Sequence, residues 1–270
     1  MLLREVEYAR PSSVEEAIQL LAGHEGARAL AGGQTIVNVM KARAASPDVL
    51  IDLNRLDGLR AISVAGETLQ LGAMATYTQI MASSEVEVSR PIVAEVAAQI
   101  ADVQVRNRGT IGGNVCSNDP TNHLPPLLVA LGATMTIRGE SGDRTVSAGD
   151  FFLGVYMTAV GEGELLLSIS VPAAANAADG FASVTIGRDG TCIASAAACL
   201  AGDSVRVALG CVDAVPVLLS PTSSDENSVR QAVESAVIDP PSDVHASSDY
   251  RRHLAAVCAV RAVQKASERS

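Results

Sequence analysis

The 270-residue chain contains no tryptophan, three phenylalanines and four tyrosines, so aromatics make up 3% of a sequence that is 48% hydrophobic. Its interior has to be packed with Val, Leu, Ile and Ala. A basic excess is also missing: 20 Lys and Arg against 30 Asp and Glu leave a formal charge of -10. Nucleic-acid backbones and anionic membrane surfaces are gripped mainly by clustered Lys and Arg, so neither is expected as a ligand. Any phosphate bound here is expected to rest on backbone amides. No apolar run approaches the roughly 20 residues of a bilayer-spanning helix. The most apolar stretch, residues 193–201, is short and interrupted by Ser195. The opening Met-Leu-Leu-Arg-Glu-Val-Glu-Tyr has no apolar segment after its Arg and reads as an alternating strand, not a signal peptide, so a cytoplasmic location is expected.

The five cysteines, Cys116, Cys192, Cys199, Cys211 and Cys258, are odd in number and never form C-x-x-C, which argues against a disulfide framework and against an iron–sulfur or zinc site. Reduced, mostly buried thiols are expected. The four histidines (His24, His123, His245, His253) lack metal-ligand spacing. There is no G-x-G-x-x-G, Walker loop, H-E-x-x-H or G-x-S-x-G, which removes the main support for hydrolase and kinase readings. No side chain stands out as an acid or base.

Against these absences stand two Gly-Gly pairs. Alternation over residues 2–8 predicts a strand, and Ser12 with Glu15, or Ser13 with Glu16, sets up a capping box for the helix after it. Residues 28–30 then lead into Ala31-Gly32-Gly33-Gln34-Thr35, followed by helical spacing over 36–43. Strands are expected at 49–53, 62–64, 69–72, 135–137, 165–171, 181–186, 193–200 and 205–209. Thr76 is placed to cap a short helix, and Pro91 to open another. Residues 103–109 read as a polar, Arg-bearing connection into Thr110-Ile111-Gly112-Gly113-Asn114, and residues 124–131 again look helical. Residues 172–180 read as an Ala-rich hinge, 220–227 as a turn, and 250–266 as a helix capped by Asp249. Composition and periodicity thus predict an α+β protein in three parts, 1–54, 55–175 and 176–270. A glycine pair opens backbone conformations closed to other residues and removes Cβ atoms, so consecutive N–H groups can close on a diphosphate. Either pair, taken alone, reads more readily as a simple chain turn.

The complete strings are more specific. Ala31-Gly32-Gly33-Gln34-Thr35-Ile36 with Met40-Lys41-Ala42-Arg43 resembles the A-G-G-x-S-L…M-K-x-R loop of the FAD subunits of molybdenum hydroxylases, the xanthine dehydrogenase and carbon monoxide dehydrogenase family. Val105-Arg106-Asn107-Arg108-Gly109-Thr110-Ile111-Gly112-Gly113-Asn114 is similar to that family's V-R-N-x-G-T-I-G-G-N loop. Further matches follow in order: Leu71-Gly72-Ala73 with Thr76, Asp119-Pro120, Ala130-Leu131-Gly132-Ala133, Phe151-Phe152, Glu164-Leu165-Leu166 and Tyr250-Arg251-Arg252.

The resemblance implies a PCMH-type two-lobed FAD-binding domain, with lobes at 1–54 and 55–175, and a small C-terminal α+β domain at 176–270. It implies that Ala31, Gly32, Gly33, Gln34, Thr35 and Ile36 grip the FAD diphosphate, that Thr110, Ile111, Gly112, Gly113 and Asn114 contact the diphosphate and the flavin side, and that Leu166 touches the adenine half. The family's D-P-x-x-D, whose second Asp binds the ribose, reads Asp119-Pro120-Thr121-Asn122-His123 here, so that contact falls to His123. The family's flavin-side Lys is absent from Phe181-Ala182-Ser183-Val184-Thr185, ahead of Arg188-Asp189-Gly190-Thr191-Cys192-Ile193-Ala194. The implied partners are a small subunit with two [2Fe–2S] clusters and a large subunit with the molybdenum cofactor, in a dimer of heterotrimers. A stand-alone flavoprotein oxidase or dehydrogenase, and a module that kept the fold without FAD, are the alternatives.

Overall fold

Of the alternating stretch at the N-terminus, only Glu7–Ala9 finds a strand partner, pairing in parallel with Val49–Asp52. The structure, a computed structural model, describes residues 3–187 and 190–270, so Leu2 of the expected strand, and Arg188 and Asp189 of the later motif, lie outside the described residues. Val49–Asp52 is central in a three-stranded parallel sheet, with Ala27–Leu30 on its other side. The helix Val14–Gly23 covers this sheet. Ser13 caps it by accepting the Glu16 N–H at 3.1 Å, while the Glu16 carboxylate takes the Ser12 N–H at 2.7 Å, so the expected reciprocal box is shared between two serines.

The second part is a five-stranded antiparallel sheet in the order Ile62–Ala65, Thr68–Gly72, Leu165–Pro172, Thr134–Gly139, Gly142–Ser147. Short helices pack against it around a core of Leu69, Leu71, Ile111, Leu127, Leu128, Met135 and Ile169. Full burial of one such side chain is worth about 1.5–3 kcal/mol. Residues 103–109 are not a simple connection: Asp102 accepts the Val105 N–H at 2.8 Å and starts a helix, Val103–Arg108. Thr76 caps Tyr77–Met81 with a complete capping box to Gln79.

The third part is a four-stranded antiparallel meander, Ala177–Thr185, Cys192–Ala201, Ser204–Gly210 and Val217–Leu219. The expected hinge at 172–180 is partly strand: Pro172 ends Leu165–Pro172, and residues 177–185 pair with 192–201, with a register shift between Val184 and Thr185. Gly180 lets the C-terminal helix Ser248–Ser267 press on the sheet: a Cβ there would stand 2.0 Å from the Ala262 carbonyl oxygen. That helix is capped by Ser247, which accepts the Tyr250 N–H at 3.2 Å, and not by Asp249. Most of the expected turn at 220–227 precedes a helix, Glu226–Glu234, capped by Asp225. Leu124–Leu131 of the second part lies against the opposite face of the meander. Among the described residues no helix is long and apolar enough to cross a membrane.

Candidate functional site

The two Gly-Gly segments, 78 residues apart in sequence by the positions of Gly32 and Thr110, meet in space. A Cβ on Gly32 would stand 2.1 Å from the Arg108 carbonyl oxygen and 2.9 Å from Gly109 Cα, so only glycine permits this contact of backbones. On the next step of each segment, a Cβ added at Gly113 would stand 2.9 Å from Thr110 Oγ1 and 3.7 Å from Ala31 Cβ. Gly113 is exposed, whereas Thr110, Ile111, Gly112 and Asn114 are buried.

The two segments use their amides differently. In the second, the helix Ile111–Ser117 begins at once, with Thr110 as its cap, so the glycines lie inside a helix and not on a turn before it. The Ile111 N–H donates to the Ala75 carbonyl at 3.0 Å, Gly112 to Ala73 at 2.8 Å, Gly113 to Thr110 Oγ1 at 3.0 Å and Asn114 to the Thr110 carbonyl at 3.0 Å. Gly112 is required by that packing, since its Cβ would lie 2.6 Å from the Ala73 carbonyl oxygen. In the first segment, no acceptor within the protein is recorded among the described residues for the N–H groups of Gly32, Gly33, Gln34, Thr35 or Ile36. Gly33 holds φ +75°, and this left-handed turn lets neighbouring amides converge.

Side chains that sequence reasoning passed over hold the first segment in place. Asn54 donates to the Ala31 carbonyl at 3.0 Å, and its own amide group is fixed by Asp52 Oδ1 at 2.6 Å and by Arg60 Nη2 at 3.0 Å. Arg60 also reaches the Met74 carbonyl at 3.1 Å, joining this brace to the second lobe. Burial alone would raise the Asp52 carboxyl, but hydrogen bonds from Tyr8 and Asn54 and the charge of Arg10 hold it below the usual carboxylate range. Gln34 closes the segment on itself by donating to the Gly32 carbonyl at 3.1 Å. Asn54 carries no sequence signal beyond following a strand.

A diphosphate-bearing cofactor fits these residues on two independent counts. Unpaired backbone amides in series suit phosphate oxygens. The Asn114 side chain is 9% exposed, yet its Oδ1 has no hydrogen-bond partner in the protein, and a buried unsatisfied acceptor costs about 1–3 kcal/mol. Burial pushes the Tyr77 hydroxyl up to about 12, against a hydrogen bond that its oxygen accepts from the Asn114 side-chain amide.

The other two residues singled out by sequence are not brought to this seam. Leu166 is 5% exposed within the core of the second lobe, opposite Ile137 in the sheet. His123 is 7% exposed and turned toward the C-terminal meander, its ring 5.3 Å from that of Phe181. It is Asn122, just before it, that folds back on the second segment, donating to the Asn114 carbonyl at 3.1 Å. Among the described residues no group of three or more His, Cys, Asp or Glu is arranged to hold a metal ion.

Fold and seam together have the form that a flavin-binding α+β protein needs, a series of unpaired amides set against a second glycine segment. A family described as the FAD binding domain in molybdopterin dehydrogenase matches residues 4–174, and the chain belongs to that family. It is 34% identical over 281 residues to the carbon monoxide dehydrogenase medium chain of Afipia carboxidovorans, covering 98% of this chain and 97% of that one. The corresponding medium chain of Hydrogenophaga pseudoflava is 46% identical over a shorter match, 62% of this chain and 58% of that one. A solved structure of carbon monoxide dehydrogenase from Hydrogenophaga pseudoflava, titled as lacking the Mo-pyranopterin moiety of the molybdenum cofactor, superposes over 100% of this chain and 99% of its own at 34% identity and a TM-score of 0.94.

Proposed function

We propose that this chain is the FAD-binding medium subunit of a heteromeric molybdenum hydroxylase and passes electrons from a partner's iron–sulfur clusters to an external acceptor. The observation that carries the reading is the run of unpaired amides at 32–36 lying against the 110–114 segment. In this reading those amides hold the FAD diphosphate, Gly113 leaves room beside Ala31, and the Asn114 carboxamide accepts a hydrogen bond from the bound cofactor. Bound FAD supplies the redox chemistry, taking up and releasing electrons, while the protein contributes position and electrostatics. Leu166 and His123 stay in the proposal only as lining beyond the seam, His123 by way of the loop it ends.

The chain's relatives are named as medium chains, which supports assembly with a small subunit carrying two [2Fe–2S] clusters and a large subunit carrying the molybdenum cofactor. A dimer of heterotrimers in the cytoplasm is the arrangement we propose. The test is direct: the purified chain is scanned for flavin absorbance, then denatured with acid. Release of free FAD in equimolar amount is expected. FMN, no flavin, or flavin retained by the denatured chain sinks the reading.

A further inference from the structure

The first glycine segment is held by its carbonyls and not by its amides. In a trans peptide unit the C=O and the N–H that follows it lie in one plane and point in opposite directions, so fixing the oxygen aims the hydrogen. No cis peptide bond occurs among the described residues. Five consecutive units are fixed in this way, from the one joining Ala31 to Gly32 up to the one joining Thr35 to Ile36. The Ala31 carbonyl accepts from Asn54 Nδ2 at 3.0 Å, and the Gly32 carbonyl from Gln34 Nε2 at 3.1 Å. The Gly33 carbonyl accepts the Val37 N–H at 3.3 Å, the Gln34 carbonyl accepts from Asn38 Nδ2 at 2.8 Å, and the Thr35 carbonyl accepts the Val39 N–H at 3.0 Å. The far ends of these same five units are the N–H groups of residues 32–36, the run for which no acceptor is recorded.

The bonds from Val37 and Val39 are what any helix start provides, here for Ile36–Lys41. The other three donors are side-chain carboxamides, which a helix start does not require. Asn54 comes from outside the segment, in the short 3-10 turn Leu53–Arg55, and its carboxamide is further engaged by Asp52 and Arg60, so it cannot turn away. A carbonyl that accepts a hydrogen bond also strengthens the N–H of its own unit as a donor, because linked hydrogen bonds polarise one another. The 110–114 segment is built the other way, with its N–H groups spent on Ala73, Ala75 and Thr110. Across the seam, Asn114 Oδ1 has no partner although the residue is 9% exposed, an independent mark that a ligand belongs here.

We propose that Asn54, Gln34 and Asn38 are positioning residues for cofactor binding: by holding the Ala31, Gly32 and Gln34 carbonyls, they aim the N–H groups of Gly32, Gly33 and Thr35 at the diphosphate of a dinucleotide. Each acts through the backbone and not by touching a phosphate. This role rests on the FAD reading of the seam and names the side chains that set its geometry. It also explains why the brace spans both lobes: Arg60, which fixes Asn54, bonds the Met74 carbonyl as well, so the aim of the Gly32 amide is tied to the second lobe.

The experiment uses the full chain freed of flavin and then titrated with FAD, read by affinity and by proton–nitrogen correlation spectra. In the wild type, saturating FAD should move the Gly32, Gly33 and Thr35 amide protons downfield, as donation to a phosphate oxygen does. Each substitution should then cancel one shift and spare the other two: Gly32 in Asn54→Leu, Gly33 in Gln34→Met, Thr35 in Asn38→Ala. Each should also weaken FAD binding by about 10- to 150-fold, the worth of one hydrogen bond to a charged group. A wild type that binds no FAD removes the FAD reading and this role together. A wild type that binds FAD, with variants that keep its affinity and all three shifts, overturns the positioning role alone. So does equal loss of all three shifts in every variant, which is the mark of general loosening. Asn38 is exposed, so Asn38→Ala keeps the test standing if a more buried substitution unfolds the chain.

Discussion

Gly32→Ala is the sharpest perturbation of the seam. The added Cβ would stand 2.1 Å from the Arg108 carbonyl oxygen and 2.8 Å from its carbonyl carbon, where ordinary contact begins at 3.4 Å. Restoring contact means separating the two segments by the difference of 3.4 and 2.1, 1.3 Å. Both sides of the clash are backbone, so no rotamer relieves it. The Gly109 carbonyl next to it accepts the Tyr77 N–H at 3.2 Å, which resists the shift from the far side. Overpacking of this kind costs about 1–3 kcal/mol. If the separation is borne where the cofactor binds, that is about a 5- to 150-fold loss of FAD affinity, since each 1.4 kcal/mol is tenfold. If it is borne by folding instead, each kcal/mol lowers the melting temperature by about 2–4 °C in a chain of this size. Flavin titration of the apoprotein and a melting curve read the two separately. Gly23→Ala is the control, because a Cβ there meets nothing within 4 Å. Wild-type affinity together with wild-type melting in Gly32→Ala would refute the close approach of the two segments.

Gly113→Ala narrows the space opposite Ala31 and sets a Cβ 2.9 Å from the capping Thr110 Oγ1, which offsets the about 0.5–1 kcal/mol by which alanine is favoured over glycine in a helix; FAD occupancy should fall, and unchanged occupancy would remove Gly113 from the cofactor's surroundings. Because the Asp52 carboxyl is lowered in the folded protein, its contribution is complete above its unfolded value near 3.9 and is lost as pH falls through the lower folded value. Urea melts of wild type and Asp52→Asn should therefore converge below about pH 4, and a constant gap down to pH 2 would contradict the assignment. Arg90, 2% exposed, holds Asp179 with Nε at 2.6 Å from Oδ2 and binds the Pro172 and Ala173 carbonyls; Arg90→Leu leaves a buried carboxylate unpaired, and denaturant melts should register a loss of about 3–5 kcal/mol, largely restored in Arg90→Leu/Asp179→Leu. His123→Ala should leave FAD affinity within about twofold, less than the value of one hydrogen bond; a tenfold weakening in the same titration would place the ring at the adenosine.

Sequence patterns located both glycine segments and most strands, because alternation and Gly-Gly strings are local signals. They presented the two segments as equivalent anion nests. The difference lies in partners far along the chain: Ala73 and Ala75 take the second segment's amides, and nothing near Thr110 in sequence announces them. The helix Val103–Arg108 was legible in Asp102, a good cap passed over because the residues after it are polar. Residues 172–180 resemble a hinge locally, and only the Ala262 carbonyl lying on Gly180 explains why a glycine sits within a paired strand. His123 was assigned by its distance from Pro120; that its ring lies against Phe181 of the meander could not be read from that spacing.

Met74 and Leu165 belong by sequence to the second lobe, yet their side chains are buried in the first lobe's core with Ala17, Ile18 and Ile51. The boundary between the lobes is therefore welded, not hinged: opening it would expose both cores to water at once. A cleft so fixed cannot close over its occupant like a jaw. On the proposed reading, in which the 31–36 segment holds the flavin's diphosphate, entry needs local loosening of that segment and departure should be slow, so that the subunit joins its partners with the flavin already seated.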